Sequence, residues 1–314
     1  MKDLLVGSTG FVGGNLGRLH EFNGVCHSNN VADYYGSSPE LCVYAGVPSA
    51  MFLANDDAKR DLEVVRQARE NIRRIAPKKL ILISTIAVYA NHCHVDEESE
   101  INMDSVPAYG SNRLLLERWI RNDWPDAAII RLPALYGTGL KKNFLYDLHH
   151  IIPPMLSYDR YQVLSGISGI VKSSYCVSEN GFYKLSEKAN RRKLRDFFEN
   201  NDFNAISFTD SRSRYQFYNL FRLWDDICKV IELDIKRVNL VPPPIGAKEI
   251  FSRVTGKTGW ENMIDKYFDY DVKSIHAEKF GGRSGYLCSY EEELEDICKF
   301  MESWDEMSDE TLYQ

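Results

Sequence analysis

Three glycines spaced three apart, Gly7-Ser8-Thr9-Gly10-Phe11-Val12-Gly13, stand directly behind the apolar run Leu4-Leu5-Val6. Nothing else in the 314 residues constrains the fold as strongly. A buried strand that ends in glycines and turns at once into a helix has three needs: a tight turn, close packing of helix on sheet, and backbone N–H groups left open at the helix start. Those open donors, aided by the helix dipole, hold phosphates. The spacing GxxGxxG departs from the dinucleotide fingerprint GxGxxG, and its place straight after the first strand is what gives it weight.

The pattern continues as alternating strands and helices. Val25-Cys26-His27-Ser28, Leu41-Cys42-Val43-Tyr44-Ala45, Leu80-Ile81-Leu82-Ile83 and Ala127 to Leu132 read as strands. Leu62, Val65, Ala68 and Ile72 place one apolar face on a helix over 57–75, and a second helix is expected over 109–121. Such alternation implies a parallel, doubly wound sheet. Beyond about residue 140 the pattern loosens, with His149-His150-Ile151-Ile152-Pro153-Pro154 and Val241-Pro242-Pro243-Pro244 as breaks. Charged residues 184–200 and the segment 225–233 are further helix candidates, the latter returning to the main sheet.

A net charge of −7 argues against a nucleic-acid partner. Seven cysteines without a CxxC pair point to a reducing, cytoplasmic setting. The glycine motif begins within seven residues of Met1, which leaves no room for a signal peptide, and no apolar stretch reaches the ~20 residues of a membrane span. His92-Cys93-His94 lacks a second pair at metal-ligand spacing, so no metal site is expected. His149-His150 reads as a solvated helix end, and the acidic stretch 305–310 as a frayed tail.

Chemistry concentrates at the end of the strand over 80–83, where Ser84-Thr85-Ile86-Ala87-Val88-Tyr89 is followed by Tyr109-Gly110-Ser111-Asn112-Arg113. Ligands of doubly wound sheets bind at such strand ends. Tyr109 and Arg113 are four apart and share a helix face. A cation beside the phenol favours its ionised form, and with Thr85 this makes a general acid/base set suited to hydride transfer at an alcohol or ketone carbon.

These segments resemble the extended short-chain dehydrogenase/reductase family, which includes nucleotide-sugar epimerases, dehydratases and reductases. Gly7, Gly10 and Gly13 match its glycine motif, Thr85 its catalytic Ser or Thr, and Tyr109 the tyrosine of YxxxK. Arg131 to Gly137 resembles the segment that passes the nicotinamide, and Lys142-Asn143-Phe144 the start of the substrate loop. Residues 216–227 resemble a later stretch of the family. The resemblance is good over 1–147, patchy over 214–304 and absent between. It implies a Rossmann-like α/β fold: a dinucleotide-binding domain over 1–150, and a smaller mixed α/β substrate region over 151–314 with parts rejoining the main sheet. Thr85, Tyr109 and Arg113 are the expected catalytic residues. The expected cofactor contacts are Gly7, Thr9, Gly10, Phe11, Val12, Gly13, Ser28, Asn29, Ala45, Gly46, Ser84, Arg113, Pro133 and Leu135. Tyr89, Asn143 and Arg214 are the expected substrate contacts, and Arg212 or Arg214 is a candidate diphosphate clamp.

Two departures matter. Arg113 stands where the family has lysine, and arginine is planar, larger and never deprotonated. After the second strand, His27-Ser28-Asn29-Asn30 carries no acid for a ribose hydroxyl, so the expectation, NADP or NAD, leans to NADP. Ile86 and Ala87 fill the places where related dehydratases carry an Asp-Glu pair, which disfavours dehydration. What remains is a keto-sugar reductase acting on a nucleotide sugar, or a nucleotide-sugar 4-epimerase. A catalytically weakened NAD(P)-binding scaffold and a reductase of lipid or polyketide ketones are the rivals. A homodimer through the helices over 57–75 and 109–121 is also expected.

Overall fold

The computed structural model describes residues 1–178, 181–265 and 267–304; the acidic stretch 305–310 lies outside them. The described residues form two compact units: 1–140, 214–245 and 269–304 in the first, and those of 141–213 and 246–268 in the second. The division falls near 140 rather than 150. Two later segments of the chain belong to the first unit.

The first unit is built on six parallel strands: β1 (Asp3–Val6), β2 (Gly24–Cys26), β3 (Leu41–Tyr44), β4 (Lys79–Thr85), β5 (Ala128–Leu132) and β6 (Arg237–Asn239). Their spatial order is β2-β1-β3-β4-β5-β6, every neighbouring pair being parallel. From β1 the chain passes to β2 on one side and then crosses to β3 on the other. The crevice beyond the carboxyl ends of β1 and β3 is therefore the topological switch point, where doubly wound sheets bind ligands.

Strand periodicity decides what each face buries. Leu4, Cys42, Leu80 and Leu82 point to one face and pack on Val65, Ala68, Ile72 and Ile75 of α2 (Ala58–Ile75) and on Leu116 and Ile120 of α3 (Ala108–Asp123). Leu5, Val43, Ile81 and Ile130 point to the other, against Leu16 of α1 (Phe11–Leu19) and Ile227 and Val230 of α4 (Leu223–Glu232). Each fully buried aliphatic side chain contributes about 1.5–3 kcal/mol, so two such layers hold the strand ends rigidly. Helix α2 is delimited by sequence: Asp57 caps the Arg60 amide at 3.0 Å, Arg73 and Arg74 sit in the last turn, and Ala76 adopts a left-handed conformation that ends it.

The second unit carries a three-stranded antiparallel sheet of Met155–Leu156, Tyr183–Leu185 and Tyr175–Val177. Leu156, Leu164, Val171, Tyr175, Leu194 and Phe198 form its core. The helix expected over 184–200 begins only at Arg191, because Tyr183–Leu185 pairs as a strand and Asn190 then caps the Lys193 amide. No helix among the described residues is long and apolar enough to cross a membrane.

Candidate active site

The glycine turn owes its shape to contacts that only glycine permits. Gly7 has φ +95°, and a Cβ there would lie 2.5 Å from the Ala45 carbonyl oxygen. A Cβ on Gly13 would lie 2.1 Å from the Gly7 carbonyl oxygen. The turn is tied to the neighbouring strand ends: the Gly7 and Ser8 amides donate to Cys26 O at 2.7 and 3.1 Å, and the Ala45 amide donates to Val6 O at 2.9 Å. Ala45-Gly46 and, past β2, the exposed pair Ser28-Asn29 are thereby brought beside the turn.

Helix α1 starts with no side-chain cap at Gly10. Gly10 and Gly14 donate to backbone carbonyls of the turn, whereas Phe11, Val12 and Gly13 have none among the described backbone bonds. An α-helix leaves its first N–H groups without internal acceptors. Here they open beside exposed Thr9 and Gly10, an arrangement that fits the phosphates of a dinucleotide.

At the end of β4, Thr85 accepts a hydrogen bond from the Ala87 amide at 3.1 Å and caps the short turn Ile86–Val88. Helix α3 packs against that turn so closely that a Cβ on Gly110 would lie 1.9 Å from the Ala87 carbonyl oxygen. The glycine thus lets Tyr109, one residue earlier, come close enough to Thr85 for the threonine to act on its phenol. Tyr109 is 8% exposed, and Asn55 of the short helix Met51–Asp56 accepts from its backbone amide at 2.8 Å. The guanidinium of Arg113 lies over the tyrosine ring, its Cζ 4.0 Å from the ring centre.

Arg113 favours the ionised phenol, but the net displacement of Tyr109 is upward. Burial pushes the phenol up and Asp61 adds to it; Arg113 and Thr85 pull the other way and do not prevail. Asp61 on α2 was missed by the sequence reading. It is buried, forms an ion pair with Arg113, and accepts from Asn112 Nδ2 at 2.8 Å. Arg113 Nη2 donates to the Pro48 carbonyl at 2.6 Å.

Other expected contacts fall elsewhere. Tyr89 is corrected from a substrate contact to an interior residue: its hydroxyl donates to Asp96 O at 2.7 Å and accepts from Arg131 Nη1 at 2.7 Å. Arg131 is in turn forked onto buried Glu117, which also takes the Ser84 hydroxyl at 2.5 Å, so that side chain turns inward. The Asn143 side-chain oxygen accepts from the Leu145 and Tyr146 amides and caps the helix Phe144–His149 in the second unit. Arg214 Nε donates to Asp269 at 2.6 Å, and Arg212 is forked onto Asp210. Both arginines are already matched to carboxylates. Pro133 and Leu135 are half-buried past the end of β5. His150 is not a solvated end: it is half-buried, stacks on Tyr146 at 4.0 Å, and burial lowers it to about 4.

No protein-family model matches the sequence, and no curated protein is similar to it in sequence. Solved structures do resemble it in fold. The dTDP-4-dehydrorhamnose reductase of Yersinia enterocolitica superposes with a TM-score of 0.63 at 12% identity, over 96% of this chain and 99% of that one. The reductase of the same name from Bacillus anthracis, in complex with NADP, gives 0.61 at 14% identity over 95% and 98%. The UDP-glucose 4-epimerase of Thermotoga maritima, with UDP-glucose, gives 0.60 at 10% identity over 98% and 99%.

Proposed function

From a chain with the fold of the extended short-chain dehydrogenases/reductases, we propose an NAD(P)-dependent oxidoreductase that reduces a keto group of a nucleotide sugar. The observation that carries this reading is the close packing of α3 on the turn after β4, which sets Tyr109 beside Thr85 at the carboxyl end of that strand, on the same sheet edge as the uncapped start of α1. Hydride transfer needs a dinucleotide-holding turn and a proton donor at one strand edge, and the glycine turn and the Tyr109 phenol support that reading.

When bound, the dinucleotide supplies the hydride for the carbonyl carbon. The chain's own part is to hold and to move the proton. Phe11, Val12 and Gly13 offer amides to the phosphates, and Gly7, Ala45 and Gly46 keep the backbone close. Ser28 and Asn29 follow β2 without a carboxylate, which supports NADP over NAD, since nothing there repels a 2′-phosphate. Thr85 orients the carbonyl oxygen, and Tyr109 gives it the phenolic proton; the phenolate regains a proton from water. The carbonyl thus gains a hydride at carbon and a proton at oxygen, leaving an alcohol.

Ile86 and Ala87, beside Thr85, can move no proton, which supports simple reduction over dehydration. The test is a panel of dTDP-, UDP- and GDP-linked 4-keto sugars, read by loss of reduced nicotinamide absorbance with NADPH or NADH. At least one keto sugar should be consumed stoichiometrically with NADPH. Conversion of a nucleotide sugar to its 4-epimer with no net dinucleotide consumed would overturn the reductase reading.

A further inference from the structure

Arg113 differs from the lysine that the resemblance calls for, and its surroundings show what an arginine does there. The guanidinium lies over the Tyr109 ring while Nη1 meets the Asp61 carboxylate and, at 3.3 Å, the Tyr109 carbonyl. Nη2 meets the Pro48 carbonyl. A lysine ammonium, a point donor, could not stack on the ring and reach both partners at once. Arg113 is 4% exposed and Asp61 8%, so the pair is out of water. At the phenol, the two charges of this buried pair act in opposite directions.

We propose that Asp61 is a positioning residue: it pins the Arg113 guanidinium beneath Tyr109 and neutralises it, so that the phenol is held as a proton donor and the working form of the site at neutral pH is the reducing one. The proposal rests on the reductase reading and adds to it the residue that sets the proton's place. Among the described residues, the groups that act on the phenol are these. Arg113 on its own helix and Asp61 on α2 are the charged ones; β4 contributes the neutral Thr85 hydroxyl. The helix Met51–Asp56 contributes the neutral Asn55, bonded to the Tyr109 backbone. Asn112, also neutral, bonds Asp61 rather than the phenol. Arg113, with its donors on Asp61, Pro48 and Tyr109, thus serves the tyrosine.

The experiment is a tyrosinate ultraviolet titration of the whole chain, free of dinucleotide and substrate, with each protein referenced to its own Tyr109→Phe counterpart. In Asp61→Asn the guanidinium charge is no longer balanced, and the Tyr109 phenol should titrate about one pH unit or more lower than in the parent. The alkaline limb of the reduction rate should move with it, in kcat more than in KM, and Asp61→Glu should restore both. An unchanged midpoint in Asp61→Asn overturns the proposal. If that variant does not fold, the charge-free pair Asp61→Asn with Arg113→Gln decides: a midpoint equal to the parent's supports cancellation, and a displaced one overturns it. The titration needs no substrate, so absence of keto-sugar turnover would sink the reductase reading without touching this result.

Discussion

Gly13 and Gly14 are neighbours in the sequence with opposite tolerance for a side chain. A Cβ at Gly13 would strike the Gly7 carbonyl, backbone against backbone, whereas at Gly14 it would lie 3.6 Å from Ser8 O, an ordinary contact. Gly13→Ala should therefore cost about 1–3 kcal/mol of stability and most of the dinucleotide affinity, and Gly14→Ala little of either. Denaturant unfolding and a fluorescence titration with NADPH check both; equal affinities would show that the turn holds no phosphate. The glycine spacing, Thr85 and Tyr109 were legible in the sequence because short-range rules connect them: a turn after a strand, a strand end, a helical face. Asp61 was not, since no spacing rule links it to Arg113, 52 residues away. Tyr89 was misread because its neighbours Arg131 and Asn239 reach it only through the folded sheet.

The strands β1, β3, β4 and β5 and helices α2 and α3 could be read from periodicity, because a strand buried on both faces is continuously apolar and a surface helix is striped. The short strand Tyr183–Leu185 could not, as its pairing with Met155–Leu156 and Tyr175–Val177 overrode a charged, helix-like composition. The helix Tyr290–Glu302 illustrates burial that composition hides. Its inward Glu293 lies beside Asp296, and both face the Tyr136 hydroxyl, at 3.5 and 2.9 Å. Burial, with Asp296 adding to it, pushes Glu293 up to about 8. A carboxyl raised in the folded state binds its proton more tightly there than when unfolded. Its contribution is thus whole below about 4.5, the ordinary value, and is lost as pH rises through about 8. Urea unfolding between pH 5 and 9 should show stability falling across this window, and Glu293→Gln should flatten the decline. A slope unchanged by that substitution would contradict the assignment.

At the scale of the whole molecule, the sequence indicated a doubly wound sheet followed by a mixed region, and the chain has both. The return of later segments to the main sheet is suggested by the sequence without their bounds, which are 214–245 and 269–304. Strand β6 is only three residues long, too short for a periodic signal, yet it is the edge on which Asn239 joins the Tyr89–Arg131–Glu117 network. The same network engages the hydroxyls of Ser84 and Tyr89 and leaves those of Thr85 and Tyr109 side by side at the strand end. Proton delivery by Tyr109 is the claim on which the functional account turns. Tyr109→Phe keeps the ring over Arg113 and removes one oxygen. Measured side by side, NADPH affinity should stay near that of the parent while keto-sugar reduction falls by about 10²–10⁴-fold; turnover retained in the phenylalanine variant would contradict the account.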